Sequence, residues 1–479
     1  MIVRISRFDP DKDAVPHVET YDVHVASGAH VLNVLDMVRD KFDPTLGYRC
    51  CCRAGQCGSC AIRVNGKPVL ACTEEARDGD LIESLELPSI QDLITDVTQV
   101  VAQIAWLNPR AASLSCGCGV THETIEEIKP LRECIECYSC VSSCPAYAVS
   151  EYAVPTVMRQ EQRLNLDPRD VDDRIGEAIA RGLFACTSCH KCVEVCPKKI
   201  DIPRKAVEKL RIEAAKRGLS LPAHMELARL VEETGRSIER KSTSFLEYVP
   251  DVIEPEGEVR ATIGFFVGCM FNGRVNQSAL DAIEVFRKNG IRVLIPKDQV
   301  CCGSPLIRTG LSNFVPELMQ RNIAAFVNAG VDTVFTMCAG CGSTLKKDYD
   351  TPFRVADITE YLCEVGFVPP TKIAGTYTYH DPCHLLRGQG ISKQPRELLR
   401  SFVEKFVDMP AHCCGAGGGV KSGFPDEAAS IGAVRAEMVA ATGADFIVTI
   451  CPFCEYHLRR VTGLPVKNIA TLMLEGYLK

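Results

Sequence analysis

Long apolar runs are missing from this sequence: none approaches the roughly 18 residues that a membrane span needs. The first residues, Met1-Ile2-Val3-Arg4-Ile5-Ser6-Arg7, alternate as a strand does and lack the apolar core of a secretion signal. Both absences point to a cytoplasmic protein with no membrane span of its own. Excess positive charge is missing as well. A net charge of −7 and a pI near 5.9 remove the electrostatic footprint expected for nucleic acid or an anionic membrane surface. A nucleotide fingerprint is also absent. Gly415-Ala416-Gly417-Gly418-Gly419-Val420 comes nearest, and Val420 stands where G-x-G-x-x-G requires its last glycine. Neither flavin nor nicotinamide is expected on this chain.

What is abundant is cysteine, with 27 in 479 residues. In a small secreted chain this would suggest disulfides; in a large cytoplasmic one, clustered spacing reads as metal binding. The length suits two to four domains. Residues 1–100 read as a small β-rich domain, with strands at Met1–Phe8 and Tyr21–Val25 and a helical period over Val31–Phe42. Asn65-Gly66, between Ala61–Val64 and Val69–Ala71, is a hairpin signal. Residues 101–240 turn helical, as in Ile175–Leu183 and Lys205–Arg217, around two dense cysteine runs. A polar stretch over 241–260 reads as a linker. From 261 to 479, apolar strand runs alternate with helices, which predicts an α/β domain.

Three kinds of cysteine pattern follow the same order. Cys52-x4-Cys57-x2-Cys60 with a distant Cys72 is the plant-type [2Fe–2S] spacing. Gly55 and Gly58 fit a loop whose amides approach sulfur; Cys50 and Cys51 are surplus. Cys134-x2-Cys137-x2-Cys140-x3-Cys144-Pro145 and Cys186-x2-Cys189-x2-Cys192-x3-Cys196-Pro197 form the paired ferredoxin run, in which each fourth cysteine serves the other cluster. One cubane [4Fe–4S] is therefore expected on Cys134, Cys137, Cys140 and Cys196, and another on Cys186, Cys189, Cys192 and Cys144. Finally, Cys269, Cys301-Cys302-Gly303 and Cys338-x2-Cys341 recur as Cys383, Cys413-Cys414-Gly415 and Cys451-x2-Cys454, offset by 112 to 114 residues. That is an internal duplication, with halves 261–370 and 371–479. Five thiols per copy exceed a tetrahedral zinc site and suit a multi-iron cluster.

Residues 1–235 resemble the iron–sulfur subunit of succinate dehydrogenase and fumarate reductase. That resemblance implies a β-grasp plant-type ferredoxin domain followed by an α-helical ferredoxin domain. In that family the position of Cys189 usually lacks cysteine and a three-iron cluster sits beside a quinone. Here Cys189 is present, and the tryptophan expected after the first Cys-Pro is replaced within Ala146-Tyr147-Ala148-Val149-Ser150, so quinone chemistry loses support. The C-terminal half resembles the catalytic subunit of heterodisulfide reductase, which implies a noncubane [4Fe–4S] cluster in each five-cysteine set. The whole multidomain order looks like the iron–sulfur subunit of the thiol:fumarate reductase family of methanogens, and 22 of the 27 cysteines fall on its motif positions.

This resemblance implies an oxidoreductase subunit that oxidises the thiols of coenzyme M and coenzyme B to their heterodisulfide. Electrons would pass to a flavoprotein partner, carrying FAD, that reduces fumarate. Two clusters offer one Lewis-acidic iron to each sulfur of a disulfide. The ten Cys-Cys-Gly cysteines are then ligands at the reacting site. A dithiol exchange through Cys301-Cys302 is disfavoured, because vicinal cysteines form a strained ring disulfide. Alternatives are a heterodisulfide reductase with another flavoprotein and an electron-transfer subunit feeding a quinone. His380, His384 and His412 flank ligands as structural groups or proton shuttles. Lys346, Lys347 and Arg387 are either surface charge or contacts for an anionic substrate tail. The seven glycines Gly303, Gly340, Gly342, Gly415, Gly417, Gly418 and Gly419 read equally as room for a cluster or as ordinary turns. Cys116 and Cys118 fit no motif, and Cys363 reads as core.

Overall fold

The computed structural model describes residues 1–111, 119–147, 149–150, 152–241 and 243–479. Cys116 and Cys118 lie outside the described residues. The chain divides into two compact units: Met1–Leu183 with His190–Leu210, and Phe184–Cys189 with Arg211–Lys479.

The first unit opens with a five-stranded mixed sheet. Strand β1 (Ile2–Arg7) pairs antiparallel with β2 (His17–Asp22) and parallel with β5 (Leu81–Glu83). Antiparallel β3 (Ala61–Val64) and β4 (Lys67–Leu70) complete the order β2-β1-β5-β3-β4. Alternation decides which side faces inward: Val3 and Ile5 are buried, as are Ile62 and Val64. Asn65 and Gly66 both take positive φ, the geometry that a right-twisted two-residue hairpin demands. Helix α1 (Val31–Lys41) closes the core with Val31, Leu32, Val34, Leu35 and Val38 on one face.

The remainder of this unit is helical, with helices at His122–Arg132, Pro155–Asn165 and Arg174–Ala180. The two cysteine runs, the second of them divided between the units, use the same backbone. Glu136 and Tyr138 in the first run, and Ser188 and His190 in the second, all take left-handed φ between 50° and 59°. Each run then enters a single helical turn, Ser139–Ser142 or Lys191–Glu194, that carries its third cysteine. Four strained non-glycine positions at matching sites are the mark of a duplicated loop.

The second unit contains two sheets. The first has the order β10 (Arg354–Asp357), β9 (Thr333–Thr336), β7 (Ala261–Phe265), β8 (Ile291–Leu294) and β6 (Val252–Ile253). All pairs are parallel except the edge strand β6, which runs antiparallel to β8. The stretch 241–260, read from sequence as a linker, thus supplies a strand, and its Phe245 is fully buried. The second sheet, β12 (Val403–Phe406), β11 (Ile373–Tyr379), β13 (Phe446–Thr449) and β14 (Val466–Asn468), is parallel throughout. Five helices bear on the site: α2 (Val315–Asn328), α3 (Ala339–Lys347), α4 (Cys383–Gln389), α5 (Pro425–Ala440) and α6 (Pro452–Val461). Parallel strands buried on both faces read as continuous apolar runs, which is why Val334-Phe335 and Ile447-Val448 are wholly enclosed.

Candidate functional site

In an open parallel sheet, ligands collect beyond the carboxyl ends of the strands. The cysteines of the second unit follow that rule. Cys269 comes just after β7, Cys338 after β9, Cys383 after β11 and Cys451 after β13. Cys338 and Cys451 are the N-caps of α3 and α6, with matching extended backbone, so both halves begin the Cys-x-x-Cys pair at a helix start.

All ten cysteines of the two sets line one cavity of about 360 Å3. Within it, Cys414 Sγ and Cys454 Sγ are 3.5 Å apart. Cys338 of the first set hydrogen-bonds to Cys451 of the second. Matching backbone amides point at sulfur in both halves: Gly303 N–H donates to Cys301 Sγ at 3.4 Å, and Gly415 N–H to Cys413 Sγ at 3.3 Å. Ser237 N–H adds a bond to Cys269 Sγ at 3.4 Å. Protons are shared unequally. Hydrogen bonds from Cys301 and Cys341 draw the Cys302 thiol down to about 6. Cys301 is lowered by Cys269 but raised further by Cys302 and by burial, to about 12. A buried nest of thiols with amides aimed at them is a donor set for an electropositive iron centre, and metal loading would release their protons.

His380, Cys414 and Cys454 form a buried triplet whose ligand atoms all lie within 4.8 Å of one another. Arg435 of α5 donates from Nε to His380 Nδ1 at 3.1 Å and from Nη1 to the Pro410 carbonyl at 2.6 Å. Burial pulls the Arg435 guanidinium down to about 10. His384 Nε2 lies 3.0 Å from the Ser188 carbonyl oxygen, and His412 Nδ1 lies 2.9 Å from that of Cys413. Burial lowers both imidazoles, so each is neutral near pH 7. His384 lines the cavity and His412 does not.

The cations considered from sequence do not reach this cavity. Lys346 pairs with Glu360 at 2.7 Å, Arg387 donates to the Cys189 carbonyl at 3.4 Å, and none of Lys346, Lys347 and Arg387 lines the space. Arg308, paired with Asp348, lines it, and so do Arg274 and Lys421, each 5.8 Å from the Tyr456 ring centroid. Among the described residues neither has a carboxylate partner; Lys421 Nζ is 2.5 Å from His457 Nδ1. Neither residue carries a sequence signal, since each looks like surface charge beside a turn.

The glycines of the second set have a reason that neither explanation left open by sequence names. A Cβ on Gly418 would meet the Cys186 carbonyl oxygen at 2.4 Å, and one on Gly417 the Thr187 oxygen at 2.8 Å. These residues are small because another backbone segment lies against them. That segment is anchored by Arg211, which donates to the carbonyls of Cys186 and Gly418, both at 2.9 Å. Cys189 hydrogen-bonds to both Cys383 and Cys413.

In the first unit the loop at Cys52–Cys60 turns its amides toward sulfur. Ala54 and Gln56 donate to Cys52 Sγ at 3.4 and 3.3 Å, and Gly55 donates to Cys72 Sγ at 3.3 Å. Arg53, in left-handed conformation, is pinned to Asp36 at 2.6 and 3.2 Å. Gly58 has a different reason from the one expected: a Cβ there would meet the Ile135 oxygen at 2.5 Å. The loop therefore packs directly on the start of the first ferredoxin run. Nearby, burial raises the Cys140 thiol well above its usual range, with further contributions from Cys137, Cys134, Cys196 and Cys144. The first crossed ligand set, Cys134, Cys137, Cys140 and Cys196, thus lies within electrostatic reach. Cys51 is exposed, and Cys363 is half-buried with its Sγ 3.8 Å from the Gln394 carbonyl.

Three family models match the chain. A 2Fe-2S iron-sulfur cluster binding domain covers residues 2–102, and a 4Fe-4S dicluster domain covers 130–200. A cysteine-rich domain matches twice, at 263–346 and 377–459. A fumarate reductase (CoM/CoB) subunit from Methanothermobacter marburgensis is 42% identical over 95% of this chain and 94% of its own length. A dihydromethanophenazine:CoB–CoM heterodisulfide reductase subunit from Methanosarcina barkeri is 32% identical over 70% of this chain and 90% of its own. The fumarate reductase iron-sulfur subunit of Haemophilus influenzae is 31% identical over 45% of this chain and 93% of its own. No helix among the described residues is long and apolar enough to cross a membrane.

Proposed function

The chain belongs to the fumarate reductase (CoM/CoB) family, and from that membership we propose that it is the thiol-oxidising iron–sulfur subunit of a thiol:fumarate reductase. One observation carries the reading: ten cysteines from two duplicated halves line a single cavity, where two substrate sulfurs can meet. Each five-cysteine set would hold one noncubane [4Fe–4S] cluster. When bound, these clusters supply Lewis acidity toward thiolate sulfur and accept electrons. The protein's part is to fix the sulfurs with amide donors, exclude water, and place Arg274 and Lys421 where an anionic substituent of the thiol can be held.

Cys134, Cys137, Cys140 and Cys196 would hold one cubane, Cys186, Cys189, Cys192 and Cys144 another, and Cys52, Cys57, Cys60 and Cys72 a [2Fe–2S] centre; together these groups would supply a path for electrons away from the thiol site. The domains are 1–100 with a β-grasp fold, 101–240 with a helical ferredoxin fold, and 261–479 with the duplicated Cys-Cys-Gly fold. A cytoplasmic flavoprotein carrying FAD takes the electrons and reduces fumarate to succinate. The substrates are the thiols of coenzyme M and coenzyme B, which yield their heterodisulfide. The relative named for heterodisulfide reductase, spanning 70% of the chain, favours one second reading: the same thiol site served by a different flavoprotein.

The test is to purify the chain anaerobically with its natural partner and assay fumarate reduction driven by the two thiols. Turnover that requires both thiols supports the first reading. A complex with full iron content and no fumarate turnover moves the assignment to the second.

A further inference from the structure

The two halves match cysteine for cysteine, yet the groups behind those cysteines differ. Three residues before its first cysteine, the second set has His380 and the first has Phe266. Both are fully buried. Phe266 packs on Phe326 and offers no hydrogen bond to sulfur. His380 offers one. Its Nδ1 is occupied as an acceptor by Arg435, so its proton resides on Nε2, and Nε2 is buried with no partner among the described residues. A ring nitrogen of His380 lies within 4.8 Å of the sulfurs of Cys414 and Cys454.

Arg435 is as unusual as the histidine. It is fully buried, and its Nη2 has no partner among the described residues. The nearby carboxylate, Asp381, is held by Arg396 through two bonds of 2.8 and 2.6 Å. Counting back from Cys451 and from Cys338, the residue of the first half at the same distance is the neutral Asn322, which serves the Cys301 carbonyl and Tyr349. A buried guanidinium with no carboxylate is costly unless an anion lies close by. A cysteinate-ligated cluster is such an anion.

We propose that His380, locked by Arg435 as an Nε2–H donor, hydrogen-bonds to the sulfurs of the second Cys-Cys-Gly set and gives the cluster held there a higher reduction potential than its twin. A donor to sulfur and a buried positive charge both stabilise the more negative, reduced state. His380 is a positioning residue in this scheme; it is not an iron ligand, because its free nitrogen carries the proton. The two halves are thus unequal, and electrons released from the thiols settle first in the second half. Cys189 of the ferredoxin run hydrogen-bonds to Cys383 and Cys413 of that same half. The inference rests on the reading that each set holds an iron–sulfur cluster.

The experiment is a redox titration of the anaerobically purified holoprotein, followed by electron paramagnetic resonance, with iron content measured on each sample. The wild type should show two separate potentials for the Cys-Cys-Gly clusters. His380→Phe, which copies the first half, should lower only the higher one, by about tenfold in the one-electron equilibrium or about 59 mV. His380→Gln, which keeps an N–H donor, should restore most of that shift. An unchanged higher potential in His380→Phe with full iron overturns the proposal, as does a Gln variant indistinguishable from Phe. If His380→Phe loses iron, Arg435→Gln decides: a lowered potential supports the proposal and an unchanged one overturns it. Wild-type protein without iron in either set would overturn the underlying cluster reading instead, and iron content separates the two failures.

Discussion

Cys338 and Cys451, equivalent residues of the two halves, hydrogen-bond to each other. Equivalent positions of a duplication come into contact where a local two-fold relation brings the same surface together from both sides. Under the proposed function the thiol site is therefore shared between the halves, and removing one half's ligands should disable the chemistry of both.

Replacing Cys302 or Cys414 by Ala tests that sharing. Each substitution should remove one cluster's share of iron and abolish thiol oxidation. The [2Fe–2S] signal should be unchanged, because its ligands lie in the other unit. Iron analysis together with low-temperature electron paramagnetic resonance reads both results.

Arg274 and Lys421 should matter for binding more than for turnover. Loss of one charge-assisted hydrogen bond costs about 1.5–3 kcal/mol. Arg274→Ala or Lys421→Ala should therefore raise KM for an anionic thiol roughly tenfold or more with kcat nearly unchanged. A thiol without the anionic substituent should show no such change. Steady-state kinetics with the two thiol types checks this, and Lys346→Ala, outside the cavity, serves as the neutral control.

Gly418→Ala places a Cβ 2.4 Å from the Cys186 oxygen at a backbone φ of +65°. Overpacking and left-handed strain together should cost about 2 kcal/mol or more. Anaerobic denaturant titration should show a lower midpoint. Gly330→Ala, with a comparable φ of +67° and nothing within 4 Å, should lose only the part due to strain.

Glu161 sets a pH dependence in the first unit. Burial pushes its carboxyl up to about 8, aided by Glu177 and opposed by Arg174 and Arg181, and neither oxygen has a hydrogen-bond partner among the described residues. An acid with a raised folded pKa holds its proton longer in the folded state. Its contribution is full below the unfolded value of 4.5 and is lost as pH rises through about 8. The stability of the first unit should fall across that window by at most about 1.4 kcal/mol per pH unit. Glu161→Gln should flatten the curve, as read by denaturation at pH 5, 7 and 9.

The cysteine spacings made the order of the iron–sulfur modules and the duplication legible, because ligand spacing is local and tolerates little change. The strand runs around Val334, Ile447 and Ile62 were equally legible, since burial on one or both faces is written in their alternation. The two-residue strand Val252–Ile253 was not. It exists only through pairing with Val293 and Leu294, which no local pattern records. The cations of the cavity were not legible for a related reason. Lys346 and Lys421 look alike in sequence, and only the tertiary fold turns one to Glu360 and the other to the thiol site. His380 stands beside a ligand in the sequence, but its partner Arg435 lies 55 residues away and carries no signal of its own.

In the proposed function, thiol oxidation takes place among the ten Cys-Cys-Gly cysteines and its electrons reach the [2Fe–2S] centre. The most direct measurement mixes oxidised holoprotein, under anaerobic conditions and without fumarate, with both thiols and follows the [2Fe–2S] resonance. The wild type should develop the reduced signal only when both thiols are present, and Cys302→Ala, with its ferredoxin clusters intact, should not. Reduction of the [2Fe–2S] centre by thiols in Cys302→Ala at the wild-type rate would show that the thiols react elsewhere.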